Sequence, residues 1–221
     1  MDVFVNLLIN GLATGMLIFL LAAGLTIIFG LMDVLNFAHG GLFAWGAYMG
    51  VWTFASTGNF LLAIVAAAAA GAALGLIMER FIIKPVYGNH VAQILITLGV
   101  MIVLTEMIYA IWGPNPVLAS LPAFLDGSWI VGGVVLIKYR LFIIVIGLIV
   151  FAAIYFVLQR TRLGLIVRAG VMNKEMVEAL GINIRKVFML VFLIGSGLAA
   201  LGGVLFGPYS GAINGQIGMN Y

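Results

Sequence analysis

Residues 5–30, VNLLINGLATGMLIFLLAAGLTIIFG, contain no charged side chain, and none stands between Asp2 and Asp33. A helix of that length rises about 39 Å, more than the ~30 Å hydrocarbon core of a bilayer. The stretch therefore reads as a membrane-spanning helix, and the rest of the chain repeats its character. Apolar residues make up 65% of the 221 positions and charged residues 8%, against roughly 45–50% and 25% in soluble domains. No water-soluble fold of this size hides so much apolar surface. The 29 glycines fit helices that pack closely in lipid. With no cysteine, disulfides and thiolate metal sites are excluded.

Working outward, a polar interruption at residues 32–41 is followed by span 2, which ends near residue 55. Span 3 is expected at residues 60–83, span 4 at 91–112, span 5 at 141–158 and span 6 at 187–206, with a glycine-rich tail at 207–221. Residues 129–137 are too few to cross a bilayer and read as an interfacial, re-entrant or hairpin segment. The fold class is all-α: a polytopic transmembrane helix bundle of about six spans. It forms one domain over residues 1–221, interrupted by a long hydrophilic loop at 159–186.

That loop carries six of the ten basic residues and only two acids, Glu175 and Glu178. Basic loops stay in the cytoplasm, so the loop at Lys84 is also inside and both termini are outside. Arg80 agrees with this, whereas Lys138 and Arg140 run against it. Charges at loop ends report topology, not a nucleic-acid partner. Within the loop Asn173 is an N-cap, and Glu175 suits the positive end of the helix it starts. Lys174 and Glu178 are spaced to pair. Met172, Met176 and Leu180 recur every four residues on one face, Gly181 suits a helix end, and Asn183 caps the helix leading into span 6. Such a helix lies on lipid headgroups or docks into a cytoplasmic partner. Headgroup helices favour Lys/Arg on one face and Trp/Phe/Leu on the other, so two methionines, one leucine and two glutamates favour a protein groove.

A second signal is Asp33-x-x-Asn36-x-x-His39 between spans 1 and 2. At that spacing the three side chains line one face of a helix. Polar groups at membrane depth need protein or a water-filled cavity around them. The motif is thus either an interfacial turn or a broken helix lining a pathway. No metal site is expected, since the other histidine, His90, lies in a different loop. Glu106 sits within span 4, where a charge is costly; it faces a cavity, meets a partner or is neutral. Glu79 and Arg80 read as a snorkelling interfacial pair. Gly11-x-x-x-Gly15, Gly46-x-x-x-Gly50, Gly71-x-x-x-Gly75 and Gly203-x-x-x-Gly207 offer close-packing faces. No Walker loop, nucleophile elbow or HExxH is present, so no catalytic residue is assigned and any ATP use belongs to another subunit.

Leu35-Asn36-Phe37-Ala38-His39-Gly40-Gly41, running on to Gly46-Ala47-Tyr48, resembles the signature of ABC-transporter permeases for branched-chain amino acids, and within them the LivH-type subunit. Arg168-Ala169 with Met176-Val177-Glu178-Ala179-Leu180-Gly181-Ile182-Asn183 is similar to that family's coupling loop, and residues 195–203 to its following helix. The resemblance implies that the loop helix sits in a cleft of an ATPase subunit. Met176, Glu178, Ala179, Leu180 and Gly181 are then the coupling positions. It implies a second, LivM-like permease, two cytoplasmic ATPases that hold the ATP and Mg, and a periplasmic or extracellular substrate-binding protein. This chain itself would hold no cofactor. It implies a prokaryotic cell (inner) membrane as the location, while the residues' own reading leaves Asp33, Asn36, His39 and Glu106 as the candidate pathway residues. Family members continue through further spans, so the resemblance also implies a sequence incomplete at its C-terminal end. A pathway poor in fixed charge suits an apolar amino acid, and equally urea or short amides. Outside the family, the same residues allow a proton-driven carrier working through Glu106, or a channel or scaffold with no energy input.

Overall fold

The structure, a computed structural model, describes residues 2–131 and 134–219. Its long helices are α1 (Asp2–Met32), α2 (His39–Thr57), α3 (Phe60–Met78), α4 (His90–Trp112), α5 (Lys138–Arg160) and α8 (Ile184–Ser210). Two short helices, α6 (Arg162–Met172) and α7 (Lys174–Ala179), lie between α5 and α8. Five segments are long and apolar enough to cross a membrane: Val3–Met32, Phe60–Val86, His90–Trp112, Lys138–Arg160 and Ile184–Ser210. The sixth expected span, α2, is not among them.

Paired Gly-Asn residues make two of the turns. Gly58 and Gly88 adopt φ of +65° and +81°, a conformation open to glycine at no steric cost. The following asparagines cap the next helices: Asn59 accepts the Leu62 N–H and Asn89 accepts the Ala92 N–H, both at 3.1 Å. Residues 129–137 resolve as part of a hairpin of β2 (Ser128–Val131) and β3 (Val134–Ile137). Gly132 and Gly133 lie outside the described residues, as do the last two residues of the expected tail. A second small pairing joins β1 (Val117–Leu118) to β4 (Ala212–Ile213), which ties the loop after α4 to the tail.

Helix α8 is the centre of the bundle and carries the largest set of buried residues. Small residues let three helices press against it. A side chain on Gly46 or Gly71 would collide with Ala200, one on Gly75 with Ser196, and one on Gly203 with the Phe43 carbonyl. Gly24 and Gly195 face each other in the same way. Of the four expected glycine pairs, Gly11 and Gly15 do not serve this role, for a side-chain carbon placed on either would meet no other element within 4 Å. Overpacking such a contact costs about 1–3 kcal/mol or more. Gly46→Val should therefore lower the unfolding temperature of the detergent-solubilised protein by several degrees, while Gly15→Val leaves it unchanged. Equal melting of the two variants would contradict the packing assignment.

Contacts fix the helix directions. Gly46 meets Ala200 and Gly50 meets Val204, so α2 runs with α8; Gly71 meets Ala200 and Gly75 meets Ser196, so α3 runs against it. The six long helices alternate in direction on this basis, and α6 and α7 share one end of the bundle with the turn at residues 84–89. Polar ties knit the spans. Trp45 Nε1 donates to the Leu104 carbonyl at 3.0 Å, Tyr139 Oη donates to the Leu205 carbonyl at 2.8 Å, and Thr14 and Tyr209 hydroxyls meet at 2.7 Å. At its loop end α3 passes into a π-helical turn, Glu79–Ile83. There Glu79 is buried and accepts the Tyr87 hydroxyl at 2.6 Å. It does not snorkel with Arg80, which is exposed against the Phe81 ring.

Candidate functional site

Two features stand apart from ordinary bundle packing: the α6–α7 knob, and a cavity where α2 begins. The knob starts as α5 turns back on itself. Thr161 caps α6 by accepting the Gly164 N–H at 3.2 Å, and Gly164 lies against the Val157 and Leu158 carbonyls, where a side chain would not fit. Asn173 then breaks the helix with φ −158° and caps α7, accepting the Met176 N–H at 2.9 Å. Gly181 takes φ +81°; its N–H bonds the Glu178 carbonyl and the Ile182 N–H bonds that of Val177. Those two bonds form a Schellman ending. Asn183 accepts the Lys186 N–H at 3.2 Å and starts α8.

Val177 is the one residue of α7 that is buried, at 2% exposure. Met176, Glu178, Ala179, Leu180 and Gly181 all face outward, with Met176 58% and Leu180 73% exposed. Met172, 89% exposed, ends α6 and so does not continue a single stripe with them, because Asn173 divides the two helices. Lys174 does not pair with Glu178; its ammonium lies 5.7 Å over the Phe188 ring of α8. Phe188 meets the Tyr87 ring edge-on at 5.6 Å, and Tyr87 reaches Glu79. Burial first, and then the Glu79 carboxylate, push the Tyr87 hydroxyl well above the usual tyrosine range, so it remains a donor. A contiguous set of contacts thus runs from α7 into the ends of α8 and α3.

The cavity begins with the polar interruption after span 1. Asp33 has φ +58°, the left-handed region, and ends α1 with its N–H on the Phe29 carbonyl. Residues 33–36 are non-helical and 37–38 form a turn. Hence Asp33, Asn36 and His39 do not line one helix face; the chain leaves the helix at Asp33 and re-enters one at His39. Thr97 of α4 holds the break, accepting the Phe37 N–H at 3.3 Å and donating to the Gln93 carbonyl at 2.7 Å. His39 Nε2 donates to the Leu21 carbonyl at 3.1 Å. Leu21 lies eleven residues before the end of α1, so α2 starts roughly 16 Å back inside the bundle.

Asn36 and His39 are each 3% exposed. Both line a cavity of ≈ 600 Å³ between α1, the break, α4 and the tail residues Gly218 and Met219. Asp33 is not there: it is half exposed and lies 3.5 Å from His90 Nε2. Glu106 is not there either, being exposed on the outer face of α4 beside Val103 and Met107. Among the described residues no cluster of His, Asp and Glu is arranged to hold a metal. Gly218, whose backbone presses on Gly40, belongs to the cavity and was not anticipated; a glycine in a polar tail carries no signal of a long-range contact.

The sequence matches the family described as branched-chain amino acid transport system / permease component over residues 7–221. It is 29% identical to the high-affinity branched-chain amino acid transport system permease protein LivH of Escherichia coli, covering 97% of this chain and 74% of that protein. It is 30% identical, with the same coverage, to the corresponding permease protein BraD of Pseudomonas aeruginosa. No solved structure matches the chain.

Proposed function

Because the chain belongs to the permease component family of branched-chain amino acid transport systems, we propose that it carries branched-chain amino acids across the membrane, driven through α7 by ATPase subunits. It is a multi-pass membrane permease of an ABC importer, and such importers work with ATPases and a substrate-binding protein. ATP and Mg reside on two cytoplasmic ATPases, a LivM-like second permease completes the pathway, and the binding protein delivers substrate from outside. The observation that carries this reading is α7 itself: a capped helix seated by Val177, with its Met176 and Leu180 side chains turned away from the bundle. A helix clamped on one side and apolar on the other is suited to groove docking. Met176, Glu178, Ala179, Leu180 and Gly181 form its outward surface.

The orientation follows from charge. Arg80, Lys84 and all six basic residues of the 159–186 loop gather at one end of the bundle, leaving Lys138 and Arg140 at the other. Eight of ten cations at one end support a cytoplasmic 159–186 loop and external termini. The exposed cavity between α1 and α4 then faces the second permease, and substrate passes between the two. Asn36 and His39 line that route; Asp33 serves the hinge, and Glu106 lies on the face available to a neighbour.

The test is a substitution at the end of α7. An L side chain at φ +81° costs about 1–2 kcal/mol, and asparagine tolerates that region better. In proteoliposomes holding the complete importer, Gly181→Trp should hydrolyse ATP without matching leucine uptake, while Gly181→Asn stays near wild type. Normal ATP-driven uptake by Gly181→Trp would remove α7 from the coupling mechanism.

A further inference from the structure

The start of α2 has the composition of a binding site for a small zwitterion. Ala38 provides no side-chain cap, and among the described residues the N–H groups of Gly40 and Gly41 have no acceptor. These donors sit at the positive end of a helix of 19 residues. A helix end alone would not indicate a ligand, but two buried side chains beside it point the same way. Neither the Nδ2 nor the Oδ1 of Asn36 has a partner, and neither does His39 Nδ1. Buried polar atoms left unpaired are expensive, and the two residues that carry them line a cavity. Because the Leu21 carbonyl only accepts, His39 Nε2 carries a proton, and Nδ1 of the neutral ring is left as an acceptor. Asn36 also lines a second cavity of ≈ 290 Å³ that runs toward the α1 end at Phe29 and Val34. It therefore stands where two cavities adjoin.

We propose that this point is a substrate half-site, a reading that rests on the importer assignment above and assigns the chemistry within it. The substrate carboxylate lies at the α2 N-terminus, where the Gly40 and Gly41 N–H groups and Asn36 Nδ2 donate to it. The ammonium donates to His39 Nδ1. The aliphatic side chain lies against Leu98, Met101 and Ile102 of α4, which complete the apolar wall. A neutral molecule of opposed charges suits this arrangement, since the helix end attracts the carboxylate without a fixed cation that would hold it too tightly for release.

Asn36→Asp places a negative charge beside the carboxylate. In the complete importer in proteoliposomes it should reduce leucine uptake at least about ten-fold. Asn36→Ser, whose hydroxyl can still donate to the carboxylate, should lose less. A second measurement does not depend on that variant folding. The chain has no cysteine, so Ile102→Cys introduces one thiol at the cavity wall. Millimolar leucine should slow its reaction with a maleimide, and isopentylamine, which lacks the carboxylate, should not. Equal protection by both, or by neither, overturns the half-site, as does wild-type leucine uptake by Asn36→Asp. Failure of the unmutated importer to take up any branched-chain amino acid would instead strike the importer assignment, so the two failures are separable.

Discussion

Changing Met176 and Leu180 together to aspartate should cut ATP-driven leucine uptake at least about 30-fold, the loss expected from one interface hot spot of roughly 2 kcal/mol. The two side chains make no essential contact within the bundle, being 58% and 73% exposed. The doubly substituted chain should therefore reach the membrane at its normal level and melt at its normal temperature. What it should lose is the ATPase subunits, which no longer co-purify because two carboxylates would have to enter an apolar groove without partners. Uptake at the wild-type rate, with the ATPases still bound, would show that α7 does not dock there.

Phe188→Ala should behave differently. Phe188 is buried between Lys174 of α7 and Tyr87 beyond α3. Its removal leaves the outward face of α7 intact but opens a cavity under it, at a cost of about 3–5 kcal/mol. The expected phenotype is an assembled complex that hydrolyses ATP and moves little leucine, with uptake per ATP falling about ten-fold or more. Phe188→Leu, a smaller loss of volume, should fall between. A chain of contacts is not in itself a coupling route, and the ratio of uptake to hydrolysis decides the matter. An unchanged ratio in Phe188→Ala would mean that motion of α7 reaches the spans by another path.

The membrane character of the chain is legible in residues 5–30 because hydrocarbon thickness sets a length that composition can meet or miss. Helix starts at residues 173 and 183 are legible because asparagine has a specific chemical use there, accepting a first-turn N–H. Helix α6 is not legible: its arginines and two glycines read as loop, and what forms it is tertiary, the seating of Gly164 on the α5 carbonyls. The hinge at Asp33 is hidden for a related reason. A left-handed residue usually announces itself as glycine, and here an aspartate takes that conformation. Three-residue spacing then suggested a helical face for Asp33, Asn36 and His39, where the chain in fact folds back on itself. The Gly11–Gly15 pair shows the converse, since spacing identifies a surface that could pack closely and says nothing about whether a partner arrives.

The most direct test of α7 as the driven element uses the same cysteine-free background. Met176→Cys, assembled with ATPase subunits bearing a single thiol in the cleft, should form a cross-link in membranes, and nucleotide should change its yield. A thiol at that position that reacts from the external side, or that cross-links to no ATPase under any nucleotide condition, would contradict the assignment.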